Sequence, residues 1–333
     1  MNQIKSNFIL TLILITSKSF AQYTDVINSN RPGISRSAFS VGTNVVQFEV
    51  GPYIINEKRK PALQTEVGGF GVDFAARYGL LWEQLELNIE GTYQNDTKTY
   101  FSNIPFDEDR ANFKTVAIGA KYLIFDPYKK GEDKPNLYSW KANQRFKWKT
   151  LIPAVSVYLG ANYDTENNPY IAPGVEGFSP KAMIMTQHNF SGGWVFVMNL
   201  IKDRIGTEQS DFSYILTLTH ALNQKWVIFG ETQGIKSDFY ADNLFRFGGA
   251  YLWTKNFQLD TAVTFNTKDT PSVLSVNFGM SYRLDFHKDK EITNENNGTS
   301  VMQEAERKSR RNRSKDNNAP NIQTPKRRAL DFN

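Results

Sequence analysis

The stretch VLSVNFGMSYRL, residues 273 to 284, decides the fold because apolar side chains occupy every second position. One face carries Leu274, Val276, Phe278, Met280, Tyr282 and Leu284, and the other carries Val273, Ser275, Asn277, Gly279, Ser281 and Arg283. Successive side chains of a β-strand point to opposite faces, so the alternation predicts a strand with one apolar and one polar surface. Phe257–Asn266 and Leu85–Tyr93 repeat the pattern.

The same period of two continues through the middle of the chain and predicts twelve strands. Most of them have about the length that a tilted strand needs to cross a bilayer. The predicted strands are 44–56, 65–78, 84–93, 113–124, 151–163, 179–190, 193–201, 211–222, 225–234, 243–253, 257–266 and 272–285.

The connections between these strands alternate in length. Leu80–Glu83 and Asn223–Gln224 are short, whereas Gln94–Asn112 and Asp164–Phe178 are long. Short turns on one side and long loops on the other are typical of an outer-membrane barrel, and a sheet in lipid must close because its edges find no water there. We therefore predict an all-β protein, a closed antiparallel transmembrane β-barrel of about 12 strands that spans residues 43–286.

One connection departs from this rule. Asp126–Thr150 is long and polar but falls on the short-turn side. It is either a periplasmic excursion or a sign that the predicted strand register slips there.

The composition is consistent with such a barrel. The chain has 333 residues, a formal net charge of +5 and no cysteine, so it has no disulfides and no thiolate metal site. Its mean hydropathy is −0.48. Beyond the first residues no run of 18 apolar residues occurs, which excludes a helical membrane protein.

The first 21 residues have the features of a secretory signal peptide. Lys5 gives a positive start, Phe8–Ile15 is an apolar core, and Ser19-Phe20-Ala21 offers the small residues that a signal peptidase recognises. Cleavage is expected before Gln22, so the mature protein leaves the cytoplasm.

Residues 22–42 precede the first strand and lack its alternation. They contain Asn30-Arg31-Pro32-Gly33, in which proline and glycine interrupt regular structure. This stretch is either a flexible periplasmic leader or a plug inside the lumen, with Arg31 paired to an inward acid.

The polar face of the strands is expected to line the lumen. Its predicted charged members are Glu49, Asp73, Arg77, Glu86, Glu90, Lys121, Glu231, Arg246, Asp260 and Arg283. Buried charges without partners are costly, so these groups should pair with one another or stay hydrated. Salt bridges within the lumen and contacts with a substrate are both possible roles. Twelve strands leave a lumen between the filled eight-stranded barrel and the wide porin channel, so we expect a narrow, partly plugged pore.

Tryptophan positions predict the orientation of the barrel. Trp82, Trp194, Trp226 and Trp253 fall at short-turn ends, and Trp140 and Trp148 lie in or beside the long connection on the same side. The tryptophan ring prefers a membrane interface, so this rim should be the periplasmic one.

A basic tail follows the last strand. Residues 287–333 have no alternation and are expected to be disordered in the periplasm, and Arg307–Arg328 contains nine Lys or Arg and one Asp. Such a tail could bind an anionic periplasmic partner, while nucleic acid is not expected as a partner in this compartment.

Short motifs in a fixed order resemble a known family. They are Asn30-Arg31-Pro32-Gly33, Gln47-Phe48-Glu49, Arg77-Tyr78-Gly79-Leu80, Leu85-Glu86-Leu87, Gly119-Ala120-Lys121-Tyr122, Phe229-Gly230-Glu231 and Gln258-Leu259-Asp260. Over about residues 28–285 the chain resembles the outer-membrane "MetA-pathway of phenol degradation" transporter family. That family usually begins with acid-Arg-Pro-acid, and this chain has Asn30 and Gly33 instead.

The resemblance implies a transporter or channel of the bacterial outer membrane for small, hydrophobic or aromatic compounds. The alternative is a structural or assembly protein whose basic tail docks a periplasmic partner. Expected partners are outer-membrane lipid and the outer-membrane insertion machinery, whose signal the last strand matches at Asn277, Gly279, Tyr282 and Leu284.

No catalytic or cofactor motif accompanies these features. His188, His220 and His287 have no metal-ligand spacing, and no glycine-rich phosphate loop occurs. We expect no enzyme activity, cofactor or metal. A lipid hydrolase that uses His188 or His220 is a third hypothesis, and the acidic run Asp107-Glu108-Asp109 is expected to be a solvated loop.

Overall fold

The computed structural model describes residues 26–60, 64–102, 104–128, 151–238 and 240–287. The chain divides into two units, 1–287 and 288–333, and the second lies outside the described residues. The signal peptide, Trp140, Trp148, nearly all of the predicted tail and most of the connection 126–150 also lie outside them. The described part of the chain contains no helix long and apolar enough to cross a membrane.

Twelve strands of the described chain form a closed antiparallel barrel. Each strand pairs with its neighbours in sequence, and the last strand pairs with the first, which confirms the predicted fold class. The strands are β1 (Val45–Arg59), β2 (Thr65–Gly79), β3 (Leu85–Tyr100), β4 (Phe106–Phe125), β5 (Ala154–Asp164), β6 (Gly177–Phe190), β7 (Trp194–Asp203), β8 (Asp211–Ala221), β9 (Trp226–Lys236), β10 (Ala241–Thr254), β11 (Phe257–Asn266) and β12 (Ser272–Asp285).

The closing seam joins the two strands that are farthest apart in sequence. Val45 of β1 lies opposite Asp285 of β12, and the ladder continues to Lys58 opposite Ser272. An unpaired strand edge in lipid would expose backbone N–H and C=O groups that no water could satisfy. Closure therefore removes the largest energetic penalty of a membrane sheet.

The outer face of the barrel is apolar and exposed. Ile54 is 66% exposed and Phe278 is 59% exposed, values that a core side chain of a soluble protein would not show. On the opposite face of the same strands, Gln47 and Ser281 are fully buried. The period of two in the sequence thus separates a lipid-facing surface from a polar interior.

One predicted loop is instead part of the β3–β4 hairpin. Gln94–Asn112 is not a loop: β3 continues to Tyr100 and β4 begins at Phe106. The prediction was wrong because this extension carries polar side chains on both faces, which hides the strand period. Cross-strand hydrogen bonds such as Thr97 Oγ1 to Asp109 Oδ1, 2.8 Å, stabilise it instead.

This finding also corrects the predicted loop position of the acidic run Asp107-Glu108-Asp109. Asp107, Glu108 and Asp109 lie in β4 rather than in a loop, and they accept hydrogen bonds from Thr99, Tyr100 and Thr97. Within the described residues, no group of three or more acidic or histidine side chains could hold a metal ion.

Four tryptophans lie at the short-turn rim, as the sequence predicts. Trp194 and Trp226 begin β7 and β9, Trp253 lies at the end of β10, and Trp82 lies in the turn before β3. Trp194 stacks on His220 with a ring separation of 4.1 Å. An amphipathic ring at a membrane interface keeps its apolar face in lipid and its N–H in water.

Candidate functional site

A buried charge cluster lies inside the barrel near the short-turn end. The Arg77 guanidinium donates to both Glu86 oxygens, at 2.9 and 3.0 Å, and Nη1 lies 3.3 Å from Glu49 Oε1. Lys121 Nζ lies 3.1 Å from Glu86 Oε2. All four side chains are at most 4% exposed. A forked guanidinium shared by two carboxylates compensates the cost of burying them.

Residues 26–42, which we call the N-terminal segment, lie against these inward-facing groups. Arg77 Nη1 donates to the Asn28 carbonyl at 2.8 Å, and Lys121 Nζ donates to the Phe39 carbonyl at 2.8 Å. The Val41 N–H donates to Glu86 Oε2 at 3.0 Å. The charge cluster therefore binds both the beginning and the end of the segment.

The segment turns back on itself. Asn28 Nδ2 donates to Ser37 Oγ at 3.0 Å, and the Ser37 N–H donates to Asn30 Oδ1 at 3.1 Å. The Ile27 N–H donates to the Lys255 carbonyl in the β10–β11 turn at 2.8 Å. Because β1 also begins at this rim, the segment enters and leaves through the short-turn end of the barrel.

The tip of the segment is held by Glu231 of β9. The backbone N–H groups of Ile34 and Ser35 donate to its carboxylate at 3.2 and 3.1 Å. Thr217 Oγ1 donates to the same carboxylate at 2.8 Å, and Arg246 Nη1 donates at 3.1 Å. Glu231 is 2% exposed, so its charge depends on these donors for compensation.

Arg36 connects the segment to strands other than β9, namely β3, β5 and β7. Its guanidinium forms an ion pair with Glu90 of β3 and lies 4.8 Å from the ring centre of Tyr158 on β5. Its backbone N–H and C=O both bond the Asn199 amide of β7, at 2.6 and 2.9 Å. The segment thus contacts strands all around the barrel.

Arg31 lies in a pocket between β11, β12 and β1. Its Nε and Nη2 both lie 3.3 Å from Asp260 Oδ1, and its carbonyl accepts a hydrogen bond from Gln258 Nε2 at 3.0 Å. A Cβ atom at Gly51 or at Gly279 would overlap the guanidinium. Both glycines therefore provide the space that this side chain occupies.

The structure brings most of the predicted lumen residues into contact with the segment or with one another. Glu49, Arg77, Glu86 and Lys121 form the charge cluster. Glu231 with Arg246, Asp260 with Arg31, and Glu90 with Arg36 form three separate pairs. Asp73 accepts a hydrogen bond from Thr92 at 2.7 Å, and Arg283 bonds Asn256 at 3.0 Å and lies 3.4 Å from Asp285.

A second set of inward charges was not predicted. Lys181 of β6 lies 3.3 Å from Glu90 and 3.7 Å from Asp203, and Arg204 forms a forked pair with Asp164 at 2.9 and 3.1 Å. Lys181 lies within the predicted strand 179–190, whereas Asp164 and Asp203 follow the predicted strands 151–163 and 193–201 and were therefore assigned to loops. Arg204 follows β7 directly, where no strand period applies.

An apolar patch on the inner wall was also missed. Tyr158, Met183, Met185, Ile201 and Ile215 form one buried cluster on β5 to β8. Sequence reasoning assigned apolar side chains to the lipid face, but β6 and β8 carry them on both faces. Only the closed barrel shows which members point inward.

A loop residue caps the outer part of the lumen. Tyr170, between β5 and β6, donates from its hydroxyl to the backbone carbonyls of Gln94 and Arg110, both at 3.1 Å. Burial and the nearby Asp96 carboxylate raise the pKa of this hydroxyl, which further favours its neutral, donating form.

The two rim histidines pack against aromatic rings. His188 stacks on Phe190 at 5.8 Å, and its Nε2 lies 3.1 Å from the Leu151 carbonyl. Within the described residues, Nδ1 of His188 and Nδ1 of His220 have no hydrogen-bond partner. The described contacts therefore give both rings a packing role at the rim.

Solved barrels that are similar to this chain share little sequence with it, as three examples show. An outer membrane channel from Pseudomonas putida F1 shares 10% identity and covers 78% of this chain and 100% of its own, with a TM-score of 0.46. The KdgM porin shares 10% identity, with 71% of this chain and 99% of the porin covered, and the TM-score is 0.42. The CymD monoaromatic hydrocarbon channel shares 10% identity, with 82% of this chain and 97% of the channel covered, and the TM-score is 0.40. At these values the likeness carries no functional argument.

Sequence comparison is more specific. No curated protein matches the chain. The family model described as "Putative MetA-pathway of phenol degradation" matches residues 29–284, which include the tip of the N-terminal segment and nearly all of the barrel. The chain therefore belongs to this family, and it is a twelve-stranded β-barrel of the bacterial outer membrane.

Proposed function

We propose that the protein is an outer-membrane channel for small hydrophobic or aromatic compounds, and that the N-terminal segment closes its lumen. The observation that carries this proposal is the apolar patch Tyr158, Met183, Met185, Ile201 and Ile215 on an inner wall that also carries many buried polar and charged side chains. Apolar side chains inside a membrane barrel lose the contact with lipid that would favour them, so a passage for apolar solutes explains their position. The family description agrees with such solutes.

The contacts of the segment support its role as a closure. Arg36 lies over Tyr158, and its backbone bonds Asn199 beside the patch. Hydrogen bonds to charged groups contribute about 1.5–3 kcal/mol each, and the segment makes several of them. Because both of its ends lie at the short-turn rim, the segment can leave the lumen without unthreading from the barrel.

Deletion of residues 23–42 tests this proposal. The truncated protein in liposomes should admit benzyltrimethylammonium faster than the unmodified protein does, because the apolar patch becomes open to solute. Tetraethylammonium is the matched control, since it has the same charge and lacks a ring. Flux that stays at the level of protein-free liposomes after the deletion contradicts the channel function. Equal flux of both cations contradicts the preference for aromatic solutes.

Glu231→Gln should increase the flux of the full-length protein. The substitution weakens the acceptor of the Ile34 and Ser35 N–H groups, and a loss of about 1.4 kcal/mol changes the ratio of closed to open states tenfold. The introduced amide keeps an oxygen acceptor for Arg246 Nη1, and Arg246 Nη2 keeps its bond to Gln233 Oε1, 2.9 Å. Liposome swelling provides the measurement.

Glu66→Gln is the control for this variant. Glu66 pairs with Lys58 at the outer end of the barrel, where both side chains are exposed, so its flux should equal that of the unmodified protein. A Glu231→Gln protein that conducts no better than the Glu66→Gln protein argues against Glu231 as a holder of the segment.

We infer two further roles that rest on sequence. Asn277, Gly279, Tyr282 and Leu284 of β12 are proposed to be read by the outer-membrane insertion machinery. The basic stretch Arg307–Arg328 is proposed to contact an anionic periplasmic partner, and a pull-down with a chain truncated before Lys288 tests it. We regard the chain as a channel without enzyme activity.

A further inference from the structure

The pocket that holds Arg31 has the composition of a guanidinium site. Asp260 of β11 supplies a carboxylate that is 7% exposed, and Gln258 supplies an amide at the edge of the pocket. Gly51 of β1 and Gly279 of β12 provide a flat space between them, where a side chain of any size would overlap the guanidinium. A planar, forked cation with five donors matches these features better than a compact ammonium does.

Arg31 uses this pocket incompletely. Its Nε and its Nη2 both approach the same oxygen, Asp260 Oδ1, at 3.3 Å. The other oxygen, Oδ2, is buried and receives no hydrogen bond from the guanidinium. A guanidinium normally binds a carboxylate with two parallel hydrogen bonds, one to each oxygen.

The backbone around Arg31 explains this geometry. The Arg31 N–H donates to Ser29 Oγ at 3.0 Å, and its carbonyl accepts from Gln258 Nε2. These bonds hold the backbone of Arg31 to the wall and to its own segment, and its side chain approaches Asp260 through Oδ1. A free solute lacks this restraint and can turn its fork to face both oxygens.

We propose that the pocket of Asp260, Gln258, Gly51 and Gly279 binds the guanidinium group of a solute, and that Arg31 occupies it when the N-terminal segment lies in the lumen. This inference rests on the proposed function, since in the unmodified protein the pocket is vacated when Arg31 moves away with the segment. The ligand class is a small molecule with a guanidinium group, and the carboxylate of Asp260 selects it over cations that cannot form the fork.

The test uses the full-length protein with Arg31→Ala, which empties the pocket. Calorimetric titration with ethylguanidinium in detergent solution should give binding about tenfold tighter than binding of ethylammonium, because only the former can use both Asp260 oxygens. The unmodified protein should bind ethylguanidinium more weakly than the Arg31→Ala protein does, since Arg31 competes for the same oxygen.

Two variants in the Arg31→Ala background locate the binding. Asp260→Asn should weaken ethylguanidinium at least about tenfold by removing the charged acceptor. Gly51→Ala keeps Asp260 but places a methyl group where the guanidinium lies, so it should weaken the same ligand and serves if Asp260→Asn does not fold. Equal affinity for both cations, or affinity unchanged by these substitutions, overturns the proposal.

The outcome is separable from that of the proposed function, because this binding requires no flux. Tight ethylguanidinium binding to the Arg31→Ala protein, together with no solute flux through the protein deleted for residues 23–42, would retain the site and reject the channel. Flux through the deleted protein without selective ethylguanidinium binding would retain the channel and reject the site.

Discussion

A protein with Ser29→Cys and Ser281→Cys is expected to lose solute flux when oxidised and to regain it when reduced. The two serine Oγ atoms lie 2.7 Å apart, one on the N-terminal segment and the other on β12. A disulfide requires an S–S distance of about 2.05 Å, so the two positions need little movement to join. The bond would attach the segment to the wall and hold it in the lumen.

The chain suits this experiment because it contains no cysteine. The introduced pair can therefore form only one intramolecular disulfide. Flux of benzyltrimethylammonium into liposomes, measured before and after a reductant, gives the effect within one protein. The expected change is from the level of protein-free liposomes to the level of the unmodified protein.

A protein with Ser281→Cys alone is the control, and its flux should not respond to the reductant. Mobility on a denaturing gel without reductant verifies that the disulfide has formed. Equal flux in the oxidised and reduced forms of the verified double variant would mean that closure does not depend on the position of the segment.

Arg77→Met should destabilise the barrel by about 3–5 kcal/mol, the range for breaking a buried ion pair by removing one partner. Arg77 is 1% exposed and compensates both Glu86 and Glu49. Without it, two carboxylates share a site in which Lys121 is the remaining cation of the cluster. Methionine retains much of the side-chain volume, so the loss reflects charge and hydrogen bonds.

Equilibrium unfolding in urea, with refolding into lipid vesicles, measures this change. Lys58→Met is the matched control, because the pair Lys58–Glu66 is exposed and such pairs contribute about 0–1 kcal/mol. A double variant with Arg77→Met and Glu86→Gln should recover part of the stability, since it leaves one carboxylate, Glu49, and one cation, Lys121, and so restores the neutrality of the cluster. An Arg77→Met protein as stable as the Lys58→Met protein would show that the cluster is hydrated rather than paired.

The strands could be read from the sequence because side-chain direction in a strand follows from position alone. Val273–Leu284 separates its apolar and polar faces without any information from its neighbours. The extension of β3 and β4 could not be read in this way. Beyond the lipid both faces of a hairpin meet water or other polar groups, so the alternation that identifies a strand is absent there.

The role of the inward acids was less accessible to sequence. The alternate positions of these acids along their strands identified the polar face. The sequence also predicts that Arg31 pairs with an inward acid if residues 22–42 form a plug. Nothing in the local sequence distinguishes an acid that binds a wall cation, such as Glu86, from one that binds the segment backbone, such as Glu231. That distinction depends on which groups the closed barrel brings within hydrogen-bond distance.

The sequence by itself determined the strand number, the closed barrel and the two sides of the strands that alternate clearly, such as β12, because these follow from the period of two and from the need to satisfy every backbone group in lipid. The tertiary structure alone decided the partners inside the lumen. Ser29 and Ser281, or Arg31 and Asp260, are separated by more than two hundred residues, and they meet only after closure has set the register of β11, β12 and β1.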